Sequence, residues 1–227
     1  MAIFHLSIRP ISRAKGHCAD AQIGYDTRCK LTNERTGETH DWSKHKEDVI
    51  QWQIVGPKMA PGELAVRAEQ AEKRWDARVA RAMDVALPNE LTTKAQWDLL
   101  RGFGLQLRDT YGAALCVSLH HPNANGDQRN VHGHIFMTSR AVDEEGNFSK
   151  RKIRQLDDHK LGPVEVERIR EMWEVRCNRG PPQGRILGRR KPPVATSPGH
   201  RTSTNTAPRA QSDSNGTQWL PATEGGG

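Results

Sequence analysis

The hydrophobic positions of the chain follow two periods, one typical of strands and one typical of helices. Alternating apolar residues predict a half-buried strand at 3–8, and similar short runs predict strands at 39–42, 50–55, 79–87, 114–121 and 131–140. Apolar spacings of three and four predict helices at 13–28, 61–78, 92–111 and 163–178. The loop 122–127 is too short for a crossover helix, so the strands on either side of it must pair antiparallel. The pattern predicts an α+β fold, with helices packed on a central antiparallel sheet.

The segment 180–227 differs from the rest of the chain in composition. It is rich in Pro, Gly, Ser, Thr and Asn and has few large apolar residues, so we predict a disordered tail after a folded domain at 1–179. It holds six basic and two acidic residues, whereas the 227-residue chain holds 34 and 27. A basic tail on a nearly balanced body indicates either a polyanionic partner or a solubilising segment.

Composition excludes one class of protein and favours one compartment. Apolar residues make up 35% of the chain, and no run approaches the roughly 18 to 20 that a membrane span needs, so membrane insertion is not expected. The amino end shows no secretory signal. The cysteines are scattered without a CxxC pair, which predicts reduced thiols and a cytoplasmic protein. They are Cys18, Cys29, Cys116 and Cys177.

Three histidines form the strongest candidate site. His132 and His134 lie two residues apart in an apolar run, so their side chains share one face of a strand. His120 closes the preceding strand, and the hairpin brings that strand end beside them. Three converging imidazoles predict a metal site, although hydrogen-bonded sheet histidines are the alternative. His121 competes with His120 but points to the other face and precedes Pro122, so His120 is preferred.

Two tyrosines and one acid complete the candidates. Tyr111, at a helix end before Gly112, is most simply a packing residue. Tyr25 lies near the end of the first helix, where a half-buried helical residue is the simplest interpretation. Asp84 is an acid in an otherwise apolar strand, and its burial is costly unless a histidine or metal pairs with it.

Several blocks of the sequence occur together in one known family. They are 1–8 (MAIFHLSI) with Ile11-Ser12-Arg13, Tyr25, 30–32 (KLT), 34–38 (ERTGE), 85–88 (VALP) with Glu90-Leu91, and His120 followed by 126–130 (GDQRN) and 132–135 (HGHI). In this order, over residues 1–179, they resemble the MobA/MobL plasmid mobilisation relaxases.

The resemblance implies an HUH-class, single-tyrosine DNA strand transferase. Such an enzyme nicks one strand at a plasmid transfer origin, forms a 5′-phosphotyrosine and leaves a 3′ hydroxyl that permits rejoining. By position, Tyr25 is the nucleophile, and a divalent ion is held by His120, His132 and His134. Mn²⁺ or Mg²⁺ is preferred as this ion, with Zn²⁺ as the alternative. Asp84 fills one of two acid positions, while Ala82 occupies the other, so the acid's role stays open between holding a histidine and accepting the tyrosine proton.

The resemblance also implies single-stranded DNA as the partner, with accessory mobilisation proteins and a coupling protein. Basic side chains and stacking aromatics hold such DNA, with Trp42 or Trp52 as possible platforms. Each of these residues taken alone is better explained by a solvated charge or a core tryptophan. The candidate basic contacts are Arg9, Arg13, Arg28, Lys30, Arg129 and Arg140.

Two other functions use the same residue types. In rolling-circle replication initiators the histidine pair precedes the tyrosine, whereas here Tyr25 comes long before His132, which favours a relaxase. A metal-stabilised DNA-binding module without catalysis is the second alternative. Members of the family often carry further domains, and whether this chain is a shorter form of such a protein stays open.

Overall fold

The structure is a computed structural model, and it describes residues 5–122, 127 and 130–179. The predicted disordered tail at 180–227 lies outside the described residues, as do Arg129 and most of the loop before His132. Within the described part, no helix combines the length and the apolar character needed to cross a membrane.

The described residues form eight strands and four α-helices. The strands are β1 (Leu6–Ser12), β2 (Lys30–Thr32), β3 (Thr39–Asp41), β4 (Val49–Val55), β5 (Arg78–Ala86), β6 (Ala113–His120), β7 (His132–Val142) and β8 (Phe148–Lys152). The helices are α1 (Ala19–Thr27), α2 (Pro61–Gln70), α3 (Thr93–Tyr111) and α4 (Leu161–Arg179).

A central sheet joins five of these strands in the order β1-β5-β7-β6-β4, and β8 pairs with the end of β7. Every neighbouring pair is antiparallel. Strands β2 and β3 form a separate hairpin. The predicted α+β class, with helices on an antiparallel sheet, is therefore confirmed.

The two faces of the sheet carry different cores. On β6, Leu115, Val117 and Leu119 share a large apolar core with α3 and α4. The alternate residues Ala114 and Cys116 belong to a second core that includes buried side chains of α1 and α2. Because side chains alternate along a strand, His120 lies on the α1 and α2 face. The candidate site therefore lies on the face with the smaller apolar side chains.

The first two helices are shorter than predicted. A 3-10 turn at Arg13–Lys15 ends at Gly16 in the left-handed conformation, and α1 begins only after Cys18, whose sulfur accepts a hydrogen bond from the Ala21 amide. Helix α2 ends at Gln70, and Trp75 is 79% exposed instead of continuing its apolar stripe. The turn at Gly16 and the exposure of Trp75 show that an apolar spacing can extend past the residues that are helical.

Strands β2 and β8 were not predicted from the pattern. Strand β2 is three residues long and pairs only with β3 across the turn at 33–37. Strand β8 carries mostly charged side chains and contacts the sheet through the pairings Arg140 with Lys152 and Val142 with Phe148. Neither strand has the alternating apolar positions that identify a half-buried strand.

Candidate metal centre and adjacent tyrosine

The hairpin formed by β6 and β7 brings the three histidines together. His120 and His132 lie directly opposite each other in the register, and His134 follows two residues along on the same face. One ring nitrogen from each imidazole lies within 4.8 Å of the others. His121 is exposed and follows the end of β6, so it stands apart from this cluster. The structure therefore assembles the three histidines that the strand pattern placed together.

Gly133 allows the strand between the histidines to pack closely on a helix. A Cβ atom at this position would come within 2.5 Å of a methyl carbon of Leu100 on α3. Leu100 is fully buried, so it has little room to move aside. Gly133 thus lies between His132 and His134, and its lack of a side chain lets α3 pack against the strand.

His134 is oriented by a carboxylate on the neighbouring strand. Asp84 lies opposite His134 in the pairing of β5 with β7, and its Oδ1 accepts a 2.7 Å hydrogen bond from Nδ1 of His134. This bond fixes the tautomer, so the Nε2 atom carries the lone pair. Among the described residues, Nε2 of His134 is buried and has no hydrogen-bond partner. An orphaned buried nitrogen beside two further imidazoles fits a metal ion.

The other two imidazoles also keep a free lone pair. Nε2 of His120 donates to the Asp26 carbonyl at 2.8 Å, and Nδ1 of His132 donates to the Asn130 carbonyl at 3.1 Å. Burial lowers the pKa of His120 to about 3 and also lowers the pKa of His132. Both rings are therefore neutral at physiological pH, which is the form that binds a metal.

Asp84 is held in its charged form. The hydrogen bond from His134 keeps the pKa of this carboxyl below its usual value, and Arg9 also lowers it. Its Oδ2 accepts a hydrogen bond from the Ser7 hydroxyl at 3.2 Å and lies 3.8 Å from Nε of Arg9. Of the two roles left open by the sequence, these contacts favour the orientation of a histidine.

Tyr25 lies against the histidine cluster. Its ring centroid is 5.3 Å from that of His134 and 5.8 Å from that of His120. The centroid of the Trp42 ring lies 5.3 Å from that of the same tyrosine, and the two ring planes are nearly perpendicular. Ala19 and Ile23 are fully buried and anchor α1 on the sheet, so the last turn of α1 presents Tyr25 to the site.

Tyr111 has a different environment on α3. Its hydroxyl donates to Oε1 of Glu165 at 2.5 Å, and burial raises its pKa. It belongs to the core on the opposite face of the sheet. The structure thus separates the two tyrosines of the chain into one at the cluster and one in the core.

A chain of polar contacts behind α1 was not expected from the sequence. Arg9 donates to Oε1 of Gln22 at 2.9 Å, and Gln22 donates to Oδ1 of Asp26 at 2.8 Å. Asp26 is fully buried, which raises the pKa of its carboxyl to about 6. Two polar residues four apart on the buried side of a helix are the sequence signal that identifies such a contact.

The predicted DNA contacts fall in different places. Arg9 reaches Asp84 at the site, and Lys30 is 62% exposed at the start of the hairpin beside α1. Arg28 lies over the Tyr25 ring. Trp42 packs on Tyr25, whereas Trp52 is 39% exposed and pairs with Ser118, on the histidine face of the sheet.

Two predicted contacts are not supported by the structure. The side chain of Arg13 is only 4% exposed, because its guanidinium binds the Glu69 carboxylate and the backbone carbonyls of Glu69, Glu72 and Arg74. The same Glu69 accepts a hydrogen bond from the first amide of α1, so Arg13 ties α1 to α2. Arg140 lies near the far end of β7 and is paired with Glu72.

Comparison with known proteins gives several mobilisation and transfer proteins. Mobilization protein MobL of Acidithiobacillus ferridurans is 30% identical over 78% of this chain and 52% of its own length. Probable mobilization protein MobA of Bifidobacterium longum (strain NCC 2705) is 35% identical over 77% of this chain and 34% of its own length. Conjugal transfer protein TraA of Agrobacterium fabrum is 28% identical over 76% of this chain and 17% of its own length. The chain spans about half or less of the length of these relatives.

A solved structure and a family model extend this comparison. The structure described as "Molecular Basis of Vancomycin Resistance Transfer in Staphylococcus aureus" has a TM-score of 0.64 and 22% identity, and the match covers 78% of this chain and 92% of that one. This similarity shows a shared fold. The MobA/MobL family model matches residues 17–181, which include Tyr25, Asp84 and the three histidines. The chain therefore belongs to the MobA/MobL family of mobilisation proteins.

Proposed function

We propose that this chain is a metal-dependent DNA relaxase that nicks and rejoins one strand at a plasmid transfer origin. The observation that carries the proposal is the contact of the Tyr25 ring with His120 and His134, in a cluster whose nitrogens fit a divalent ion. Family membership and the names of the relatives, which are mobilisation and conjugal transfer proteins, support the same function.

In the proposed reaction, Tyr25 is the nucleophile. Its phenol oxygen attacks the scissile phosphorus, and the bond from phosphorus to the 3′ oxygen breaks. The tyrosine oxygen is then bonded to the phosphate at the 5′ end of the cleaved DNA strand. The phenol loses its proton and the departing 3′ oxygen gains one. Because one phosphodiester replaces another, attack by the 3′ hydroxyl reverses the step and rejoins the strand.

The three histidines would hold the metal, with Mn²⁺ or Mg²⁺ preferred and Zn²⁺ as the alternative. A bound divalent ion would supply charge stabilisation to the phosphate oxygens in the transition state. Asp84 keeps the lone pair of His134 directed into the cluster, as carboxylates behind metal-binding histidines do. The tyrosine ring is held beside the same imidazoles, so the nucleophile and the cluster occupy one end of the sheet.

Single-stranded DNA is the proposed substrate. The proposed contacts are Arg9 and Lys30, which stay largely exposed although they pair with Asp84 and Asp41, and the exposed Trp52. Arg129 stays a contact predicted from sequence alone. We further propose that residues 1–179 form the catalytic domain and that the protein acts in the cytoplasm, where plasmid DNA is processed. Accessory mobilisation proteins and a coupling protein are the proposed partners.

The function is tested by covalent capture. Purified protein is incubated with Mn²⁺ and single-stranded oligonucleotides that tile the DNA flanking its gene, and adducts are resolved on denaturing gels. We expect an adduct with one oligonucleotide for the wild type and for Tyr111→Phe, but none for Tyr25→Phe, because no other group replaces the attacking oxygen. An adduct that persists in Tyr25→Phe contradicts the assignment. Metal-stimulated DNA binding by the wild type with no adduct would instead identify a non-catalytic DNA-binding module.

A further inference from the structure

Arg28 has a backbone conformation that arginine seldom adopts. It follows the last residue of α1 with φ 52° and ψ 38°, in the left-handed region, and it is the only residue other than glycine with positive φ in the described part of the chain. Glycine or asparagine usually occupies this position at the end of a helix, because a Cβ atom is strained there. A side chain that is retained at such a cost needs a specific use.

The conformation places the Arg28 guanidinium over the nucleophile proposed above. Its central carbon lies 4.1 Å from the centroid of the Tyr25 ring and 5.8 Å from that of Trp42. Asp48, at the end of the 3-10 turn before β4, binds the guanidinium with a nitrogen to oxygen distance of 3.1 Å. The Arg28 side chain is only 8% exposed, so its contact with the ring is shielded from solvent.

We propose that Arg28 is a positioning residue that locks the orientation of the Tyr25 ring. The guanidinium stacks against the ring by a cation–π interaction, while Trp42 and His134 contact the ring edge-on. Tyr25 lies in the last turn of α1, where the Arg28 amide donates to the carbonyls of Gly24 and Tyr25, so the backbone is held but the side-chain torsions of the ring are not. The ring therefore depends on its neighbours for its orientation, and Arg28 is the charged neighbour anchored from another element by Asp48.

The positioning role predicts a motional signature that does not depend on DNA cleavage. The chain has two tyrosines, so 3-fluorotyrosine labelling introduces ¹⁹F at two sites, and Tyr25→Phe identifies the signals that belong to Tyr25. In the wild type, we expect separate or broadened ¹⁹F lines from the two ring-flip states of Tyr25. In Arg28→Gly, which also relieves the backbone strain, we expect one sharp averaged line from Tyr25 and an unchanged Tyr111 signal.

Lys94→Gln is the matched control. Lys94 is an exposed cation on α3, which packs on the opposite face of the sheet, and its loss should leave both signals unchanged. If Arg28→Gly unfolds, the Tyr111 signal collapses as well, and Arg28→Lys then decides: lysine keeps the charge but not the flat stacking surface, so Tyr25 should gain motion. A Tyr25 signal as restrained as the wild type in the folded variant overturns the proposal.

The consequence for cleavage rests on the proposed function and is measured separately. In single-turnover reactions at saturating oligonucleotide, Arg28→Gly should lower the cleavage rate at least tenfold, with DNA affinity changed less than threefold. A large loss of affinity with an unchanged rate would mean that Arg28 is a phosphate contact and not a positioning residue. If the wild type itself does not cleave, the proposed function fails, while the ¹⁹F measurement still decides whether Arg28 holds the ring.

Discussion

At the residue scale, strand position decides which histidine joins the cluster. We expect His120→Ala to lower the affinity for Mn²⁺ at least about 100-fold, because the loss of a ligand costs more than the 10- to 100-fold typical of a supporting contact. His121→Ala should bind the ion like the wild type, since this side chain is exposed and lies beyond β6. Isothermal titration calorimetry measures both. The reverse order of effects would show that His121 is the ligand.

A second prediction at this scale concerns Asp26. Its pKa is raised by burial to about 6 in the folded protein, against 3.8 when unfolded, so the folded state binds the proton more tightly. The penalty for the charged form is absent below the unfolded pKa and develops as the pH rises through the folded pKa. Asp26→Asn should therefore stabilise the metal-free protein at pH 7 by on the order of 1–3 kcal/mol.

Urea denaturation of the metal-free protein at pH 3.5 and pH 7 measures this effect. The difference between Asp26→Asn and the wild type should be much smaller at the lower pH, where the folded wild type is protonated and its unfolded chain mostly so. Asn can still accept the hydrogen bond from Gln22, so the variant changes charge more than geometry. A variant that is less stable at pH 7 would mean that the charged carboxylate is favourably paired.

Part of this residue-level picture was accessible from sequence. Alternation along a strand and the position of Pro122 were enough to select His120 over His121. The burial of the Arg28 and Arg13 side chains was not accessible, because each depends on the position of a carboxylate distant in the chain, Asp48 and Glu69 respectively. The sequence alone does not show which carboxylate a given arginine binds in the folded protein.

At the scale of elements, the hairpin of β6 and β7 is the unit that builds the site. Its strands were predictable because both are apolar runs joined by a short loop. The start of α1 was not, because a capping sulfur at Cys18 and the left-handed turn at Gly16 set it. Apolar periodicity reports a buried face and does not report caps.

The contact between this hairpin and α3 gives the next prediction. Gly133→Ala places a methyl group against Leu100, so we expect a loss of about 1–3 kcal/mol in the free energy of unfolding. The strand must move away from α3, which also displaces the flanking histidines and should weaken Mn²⁺ binding. Leu100→Ala in the same chain should restore part of the metal affinity. If Gly133→Ala has wild-type stability, α3 does not pack tightly on this strand.

At the scale of the whole molecule, the two faces of the sheet differ: one carries most of the apolar core, and the other carries the candidate site. One face carries the large apolar core with α3 and α4, including the fully buried Phe103 and Trp173. The other face carries small residues such as Ala80 and Ala82 and, at one end, the histidines and Asp84. This division explains why the fold class followed from the apolar pattern, while the function of the polar end required the motifs.

The same division predicts how a metal affects the whole domain. The histidines come from two strands and contact α1 through Tyr25 and Asp26, so the complete site exists only in the folded chain. A ligand that binds only the folded state stabilises it by about 2.7 kcal/mol at a concentration of 100 times Kd, which corresponds to a rise of roughly 5–10 °C in Tm. Calorimetry with Mn²⁺ or EDTA should show this rise in the wild type. His132→Ala should fold and lose it, since its imidazole is only partly buried and serves the cluster more than the core. An equal rise in His132→Ala would locate the stabilising ion outside the three histidines.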